Sequence, residues 1–368
     1  MLDFSSALYL GFGHASGSAP AWQALTLGRP AALQEPPGAV AIAAELAALQ
    51  GCEAATLLPS TLHLFWDLFG VLARQDVAIY IEASTYAIAR WGVQRGASLG
   101  TPVLTFPRGD AAALARMITG MWGPQRRPLI VCDALRPGSD CQPPLALYAA
   151  LAARHGGCLV LDDTQGLGVL GHGAGPAAPL GWGGGGSLRH HALSGPHIVV
   201  GASLAKGFGV PVAVLAGSRA MLRLFEARSQ TRVHASPPSL AVINAARHAL
   251  ALNRRCGDAL RLRLAQRVAQ LRQRLAQRCW RSTGGDFPVQ SLVTPAGINT
   301  QALHAGLLAR RVRTVLHRES QASAARLSFI LSADQTADSI DQAVEALAQT
   351  VRALTGHGKA LIPLLETP

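Results

Sequence analysis

Gly201-Ala-Ser-Leu-Ala-Lys-Gly-Phe-Gly-Val210 follows the β-branched run Ile198-Val-Val200. The run reads as a strand, and the glycines after it read as a tight turn that carries Lys206. Lysine is scarce in this chain. Of 33 basic residues, only Lys206 and Lys359 are lysines and the rest are arginines. Arginine stays protonated, whereas a lysine can lose its proton and attack a carbonyl. A single lysine delivered by a strand into a glycine turn is therefore a candidate Schiff-base former.

Working outward from that turn, strands alternate with helices. The pattern predicts a helix over 40–50, a strand over 54–58 and a helix over 62–73. Next come a strand over 77–81, a helix over 87–96 and a strand over 103–106. A helix over 111–118, a strand over 128–132, a helix over 144–155 and a strand over 158–162 follow. Such alternation implies right-handed crossovers and an α/β fold, with a mainly parallel sheet covered by helices on both faces. Ligands then bind beyond the carboxyl ends of the strands. Residues 172–196 include Gly183-Gly-Gly-Gly186 and have no periodicity, which predicts a mobile loop.

After Ser236-Pro-Pro-Ser239 the texture changes. An arginine-rich helical stretch over 240–281, broken near Gly257, leads into strands over 289–293, 312–316 and 326–331 and helices over 300–309 and 336–354. The expected organisation is an N-terminal segment (1–45), a large domain (46–239), a smaller α+β domain (240–355) and a tail (356–368).

Composition bounds the function class. The 368 residues are 49% hydrophobic and 15% charged, which describes a well-buried protein and excludes a disordered one. The formal charge of +12 is spread along helices and forms no block. It is read as solvated helix faces, without nucleic acid or a membrane as partner. The six cysteines have no C-x-x-C pair and no metal-type spacing, so no metal is expected. With no leader-like start and no long apolar run, a cytoplasmic location is expected.

One motif misleads. Gly166-Leu-Gly-Val-Leu-Gly171 matches the dinucleotide fingerprint. No helix pattern follows it, and no Asp or Glu occurs between Asp163 and Glu226 to take a ribose hydroxyl.

A different constellation fits better. Asp162 ends the apolar strand Cys158-Leu-Val-Leu-Asp162, where a carboxylate can keep a pyridine nitrogen protonated. Lys206 lies on the next strand-turn. Ser60-Thr61-Leu62 sits between a strand and a helix, so its amides suit a phosphate, and Ser203 adds a hydroxyl. Together these residues are those needed to hold pyridoxal phosphate.

With these motifs in hand, the chain resembles the α-oxoamine synthases of the fold-type I pyridoxal-phosphate enzymes. Leu2-Asp-Phe-Ser-Ser-Ala-Leu-Tyr-Leu-Gly11 is similar to that family's N-F-S-S-N-D-Y-L-G. Asp162-Asp-Thr-Gln-Gly-Leu-Gly168 is similar to D-D-A-H-G-T-G, and Lys206-Gly-Phe-Gly209 matches K-G-F-G. Leu57-Leu-Pro-Ser-Thr61, Ser236-Pro-Pro238 and Ala325-Arg-Leu-Ser-Phe-Ile-Leu-Ser332 support the likeness.

The resemblance implies that Lys206 holds the cofactor as an imine and shuttles a proton, and that Asp162 pairs with the pyridine nitrogen. It also implies that Ser203, Thr61 and the Leu62 amide take the phosphate, with Ser236 reaching in from the partner of a homodimer. Departures fall on the substrate side. Tyr86, in Glu82-Ala-Ser-Thr-Tyr86, stands for the family's ring-stacking histidine, and Gln165 for its second histidine. Ser328 stands where the family has a carboxylate-binding arginine, which leaves Arg318 as the candidate for that task. The implied reaction is condensation of an amino acid with an acyl thioester, carried by acyl-CoA or an acyl carrier protein. Transamination of an amine or amino acid is the alternative, and a non-catalytic partner subunit is a third.

Overall fold

The computed structural model describes residues 1–18, 21–120, 126–317 and 325–356. In chain order, β1 (Leu2–Asp3) precedes α1 (Ala39–Gln50), β2 (Ala54–Leu58), α2 (Thr61–Leu72), β3 (Val77–Glu82), α3 (Ala87–Ser98) and β4 (Val103–Phe106). There follow α4 (Ala111–Gly120), β5 (Arg127–Asp133), α5 (Leu145–Arg154), β6 (Cys158–Asp162), α6 (Ser187–His190), β7 (Ile198–Ser203) and β8 (Ala213–Gly217). The helices α7 (Arg219–Arg228), α8 (Thr231–His234), α9 (Leu240–Leu252) and α10 (Asp258–Ala276) come next. The chain continues with β9 (Ser282–Thr283), β10 (Val289–Leu292), α11 (Thr300–Ala309), β11 (Val312–Arg313), β12 (Val315–His317), β13 (Arg326–Ile330) and α12 (Ala337–Leu354).

The chain divides into two units. The larger comprises residues 12–136 and 141–258. Its seven-stranded sheet has the order β2-β8-β7-β6-β5-β3-β4. Strands β4, β3, β5, β6 and β7 run parallel, and β8 is antiparallel to both β7 and β2. The central strands are apolar along their middles because both faces are covered. On one face Ile79, Ile81, Val131, Val160 and Val199 pack against Phe65, Leu68 and Phe69 of α2. On the other, Tyr80, Ile130, Leu159, Leu161 and Val200 pack against Phe106 and Tyr148. Glu82 is fully buried at the end of β3, where it meets Arg136 at 2.5 Å and accepts from the Tyr148 hydroxyl at 2.7 Å.

The glycine-rich stretch departs from expectation. It is not a free loop. Gly171 N–H donates to Leu180 O (2.8 Å), His172 and Trp182 exchange backbone bonds (3.0 and 2.9 Å), and Gly186 N–H donates to Leu170 O (2.8 Å). Gly183 is tied from both sides, to Asp258 (2.8 Å) and to Asn253 (3.0 Å). Glycines at positive φ, among them Gly181, Gly183, Gly184 and Gly186, allow this meander. The bonds from Gly171, His172, Trp182 and Gly186 join backbone to backbone outside any regular period, so the sequence pattern carries no trace of them. The break expected near Gly257 is a π-helical turn over Asn253–Gly257, between α9 and α10.

The smaller unit comprises residues 1–11, 137–140 and 259–368. An antiparallel sheet of order β12-β13-β10-β9 and the parallel pair β1-β11 lie with α11, α12 and residues 259–276 of α10. In α12, Ile340, Ala343, Val344, Leu347 and Ala348 form the buried stripe of an amphipathic helix. Phe4 packs edge-on against Phe329, and Tyr9 against Phe287. Among the described residues, no helix is long and apolar enough to cross a membrane.

Candidate active site

Strand β7 ends at Ser203, and the chain closes into a turn. Leu204 N–H donates to Val212 O (2.8 Å), and Phe208 N–H to Leu204 O (3.1 Å). Leu204, Phe208 and Val210 are wholly buried, while Lys206 is half-buried between them. Gly207 is required here. A Cβ on it would stand 2.3 Å from Leu167 O and 3.1 Å from the Gly168 Cα. The misleading glycine motif is thus the bed on which the lysine turn rests.

Register then places two carboxylates at the same sheet edge. Asp162 pairs with Asp133 on one side and with Gly201 on the other. Neighbouring strands lie about 5 Å apart, so the two carboxyl groups are close. Asp162 accepts from Thr164 N–H (3.0 Å), and the Thr164 hydroxyl in turn accepts from Ser203 N–H (3.0 Å). Burial raises the Asp162 pKa, while bonds from Thr164 and the charge of Lys206 act against the shift. Asp133 is pushed up to about 7, by burial and then by the charge of Asp162. Burial lowers the Lys206 pKa, with the two aspartates opposing.

The N-terminus of α2 follows from the same edge. Leu58 and Ser203 both pair with Ala213, one from each side. Two residues past Leu58, Ser60 caps α2 and accepts from His63 N–H, and its hydroxyl meets His63 Nδ1 at 2.9 Å. Helix geometry leaves the Thr61 and Leu62 amides without intrahelical acceptors, the kind of donor an anion takes. Thr61 is half-buried and Leu62 is exposed.

The other residues singled out from the sequence are more dispersed. Tyr86 is 64% exposed at the start of α3, and both Asp133 oxygens accept its backbone N–H at 3.1 Å. Gln165 is half-buried beyond Thr164, and Ser236 is exposed between α8 and α9. Ser328 belongs to the smaller unit. It is fully buried in β13, with its hydroxyl 2.8 Å from that of Ser291. Arg318 lies outside the described residues.

Two residues escaped sequence reasoning. Asp133 ends an apolar strand as Asp162 does, and that same signal could have found it. Thr164 sat inside a quoted motif without a role, because a hydroxyl bond across strands leaves no sequence period.

The residues present fit pyridoxal phosphate. Two carboxylates face one amine, which leaves negative charge that a protonated pyridine nitrogen would balance. The uncapped amides of α2 offer the complementary site for a phosphate.

Comparison with known proteins agrees with this geometry. The family model for aminotransferase class I and II matches residues 142–356, more than half of the chain. The chain is 31% identical over 284 residues to 8-amino-7-oxononanoate synthase of Dechloromonas aromatica (strain RCB), covering 76% of this chain and 69% of that one. Among solved structures, serine palmitoyltransferase from S. paucimobilis, with bound pyridoxal phosphate and myriocin, superposes with a TM-score of 0.82 at 15% identity, covering 96% of this chain and 88% of that one. The 8-amino-7-oxononanoate synthase of Francisella tularensis gives a TM-score of 0.73 at 17% identity, over 96% and 98% of the two chains. The lysine turn, the paired edge and these likenesses coincide, and the chain belongs to the aminotransferase class I and II family, as a pyridoxal-phosphate-dependent transferase of the α-oxoamine synthase group.

Proposed function

We propose that this enzyme condenses an amino acid with an acyl thioester, releasing the thiol and carbon dioxide and leaving an amino ketone. The observation that carries the reading is Lys206, held on a glycine bed beside Asp162, in a chain 31% identical to an 8-amino-7-oxononanoate synthase. Pyridoxal phosphate, when bound, supplies the electron sink that makes the α-carbon acidic. Asp162 holds a proton on the pyridine nitrogen. The Thr61 and Leu62 amides and the Ser203 hydroxyl hold the phosphate. Lys206 Nζ moves the α-proton, and burial favours its neutral, proton-accepting form. With the cofactor bound, Tyr86 would stack on its ring and Gln165 would donate a hydrogen bond to its phenolic oxygen, without titrating. The enzyme works as a homodimer in which Ser236 serves the partner's phosphate.

The substrate side differs from the family pattern. The buried Ser328–Ser291 hydroxyl pair carries no charge and cannot take a carboxylate as a guanidinium fork does. Arg318 takes that carboxylate, or the donor lacks one. The second case favours an alternative reading, transamination of an amine.

Holoenzyme incubated with amino acids plus acyl-CoA or acyl carrier protein should release free thiol in proportion to amino ketone. If no pair releases thiol while an amine alone converts the cofactor to its pyridoxamine form, acyl transfer is wrong and transamination is right.

A further inference from the structure

Asp133 lies outside every role argued above, yet its surroundings are specific. It stands opposite Asp162 in the β5–β6 register. Asp162 has Thr164 and Lys206 to offset its charge. Asp133 is less well served. The nearest guanidinium, Arg136, is committed to Glu82 at 2.5 Å. What Asp133 holds is a backbone group, the Tyr86 N–H, at 3.1 Å to each oxygen.

Tyr86 is the N-cap residue of α3, in an extended conformation (φ −63°, ψ 151°) with no side-chain cap of its own. The helix therefore presents an unsatisfied N-terminus, and a carboxylate there gains both the hydrogen bond and the helix dipole. The bond joins β5 to the start of α3. It fixes the backbone from which the exposed tyrosine ring projects.

We propose that Asp133 is a positioning residue: its carboxylate grips the Tyr86 N–H, sets the approach of the tyrosine ring to the cofactor, and gives up its proton when the cofactor binds. This rests on the reading of Tyr86 as the ring-stacking residue.

The charged and titratable groups facing Asp133 are Asp162 on β6, Glu82 on β3, Arg136 beyond β5 and Lys206 beyond β7. The Asp162 charge is what a pyridinium would neutralise. Without that cation, the two aspartates compete for a proton, and Asp133 is the weaker competitor for negative charge. With it, the repulsion is relieved and Asp133 ionises. An ionised carboxylate grips an amide harder than a neutral acid does. Cofactor binding and the seating of Tyr86 are therefore coupled through one proton.

The test uses cofactor-free full-length protein reconstituted with pyridoxal phosphate from about pH 5.5 to 8.5, a span around the Asp133 midpoint. Cofactor retention and the induced circular dichroism of its absorption band are followed in wild type, Asp133→Asn, Asp133→Ala, Tyr86→Ala and both double variants. Far-ultraviolet dichroism confirms folding. Asp133→Asn keeps an acceptor and loses the titration, so the pH dependence of induced dichroism should flatten. Asp133→Ala should weaken retention by about tenfold, the size of one charge-assisted hydrogen bond. In the Tyr86→Ala background, neither substitution should change the induced dichroism further. Effects of Asp133 on the dichroism that persist undiminished without Tyr86, or a pH profile unchanged in Asp133→Asn, would overturn the proposal. If Tyr86→Ala alone matches wild type in both readouts, the stacking role of Tyr86 fails and the inference falls with it.

Discussion

Lys206 shows how much a single residue's chemistry depends on neighbours that the chain places far from it. Half-buried, with two aspartates at the same edge, it keeps a pKa that burial lowers and the aspartates hold up. Borohydride fixation of holoenzyme should add the cofactor's mass to wild type at Lys206, and add none to Lys206→Arg. Mass spectrometry of the peptide spanning residues 201–210 reads the difference directly. The acids make a second prediction. Asp133 and Asp163 both titrate near 7 in the folded protein, the latter because burial outweighs its bonds to Ser187. Unfolded aspartate titrates near 4, so protonation favours the folded state. That stabilisation is complete below about pH 4 and is lost as pH rises through about 7. The melting temperature of cofactor-free protein should therefore fall between pH 5 and 8 by less in Asp133→Asn than in wild type, because one of the two groups no longer titrates. An equal fall in both would remove Asp133 from this account.

Elements decide where those residues stand. The N-terminus of α2 follows β2 after two residues, Pro59 and Ser60, and the cap is Ser60. Ser60→Ala should cost about 1 kcal/mol of stability, as loss of an N-cap does. It should also weaken phosphate retention, because the first turn frays where the Thr61 and Leu62 amides must converge. Calorimetry and a phosphate competition titration measure the two effects separately. Gly207→Ala should do more. Its Cβ has no room against Leu167 O, so the lysine turn must lift from its bed. Much of this was legible. Strands over 54–58, 103–106 and 158–162 and the helix over 300–309 match the structure residue for residue, because β-branched and apolar runs and capped helices write their period into the chain. Strand β8 was overlooked although Ala213-Val-Leu-Ala-Gly217 is apolar and wholly buried, because its small residues resemble the neighbouring glycine loops. The meander over 172–196 was misjudged for the opposite reason: glycine backbone bonds give order without pattern. The hydroxyl bridge from Thr164 to Ser203 depends on register between two strands, which no local spacing encodes.

At the scale of the whole molecule, the proposed function has the site completed by a second copy. Ser236 is exposed between α8 and α9. On the function proposed above, its hydroxyl serves the phosphate of the partner's site. Under that proposal, closed twofold symmetry would have each site take Lys206 from one protomer and Ser236 from its partner. Complementation exposes this arrangement. Lys206→Ala alone should lose activity, and Ser236→Ala alone should retain cofactor poorly. When the two variants are unfolded together and refolded at equal amounts, mixed dimers contain one site with both substitutions and one site with neither. Random pairing makes half the dimers mixed, so about one quarter of all sites regain native composition. Activity and cofactor retention of the mixture should exceed the sum of the separate variants by that fraction. A mixture that shows only the sum, while light scattering reports a dimer, would place Ser236 outside the partner's site and leave each protomer to hold the phosphate alone.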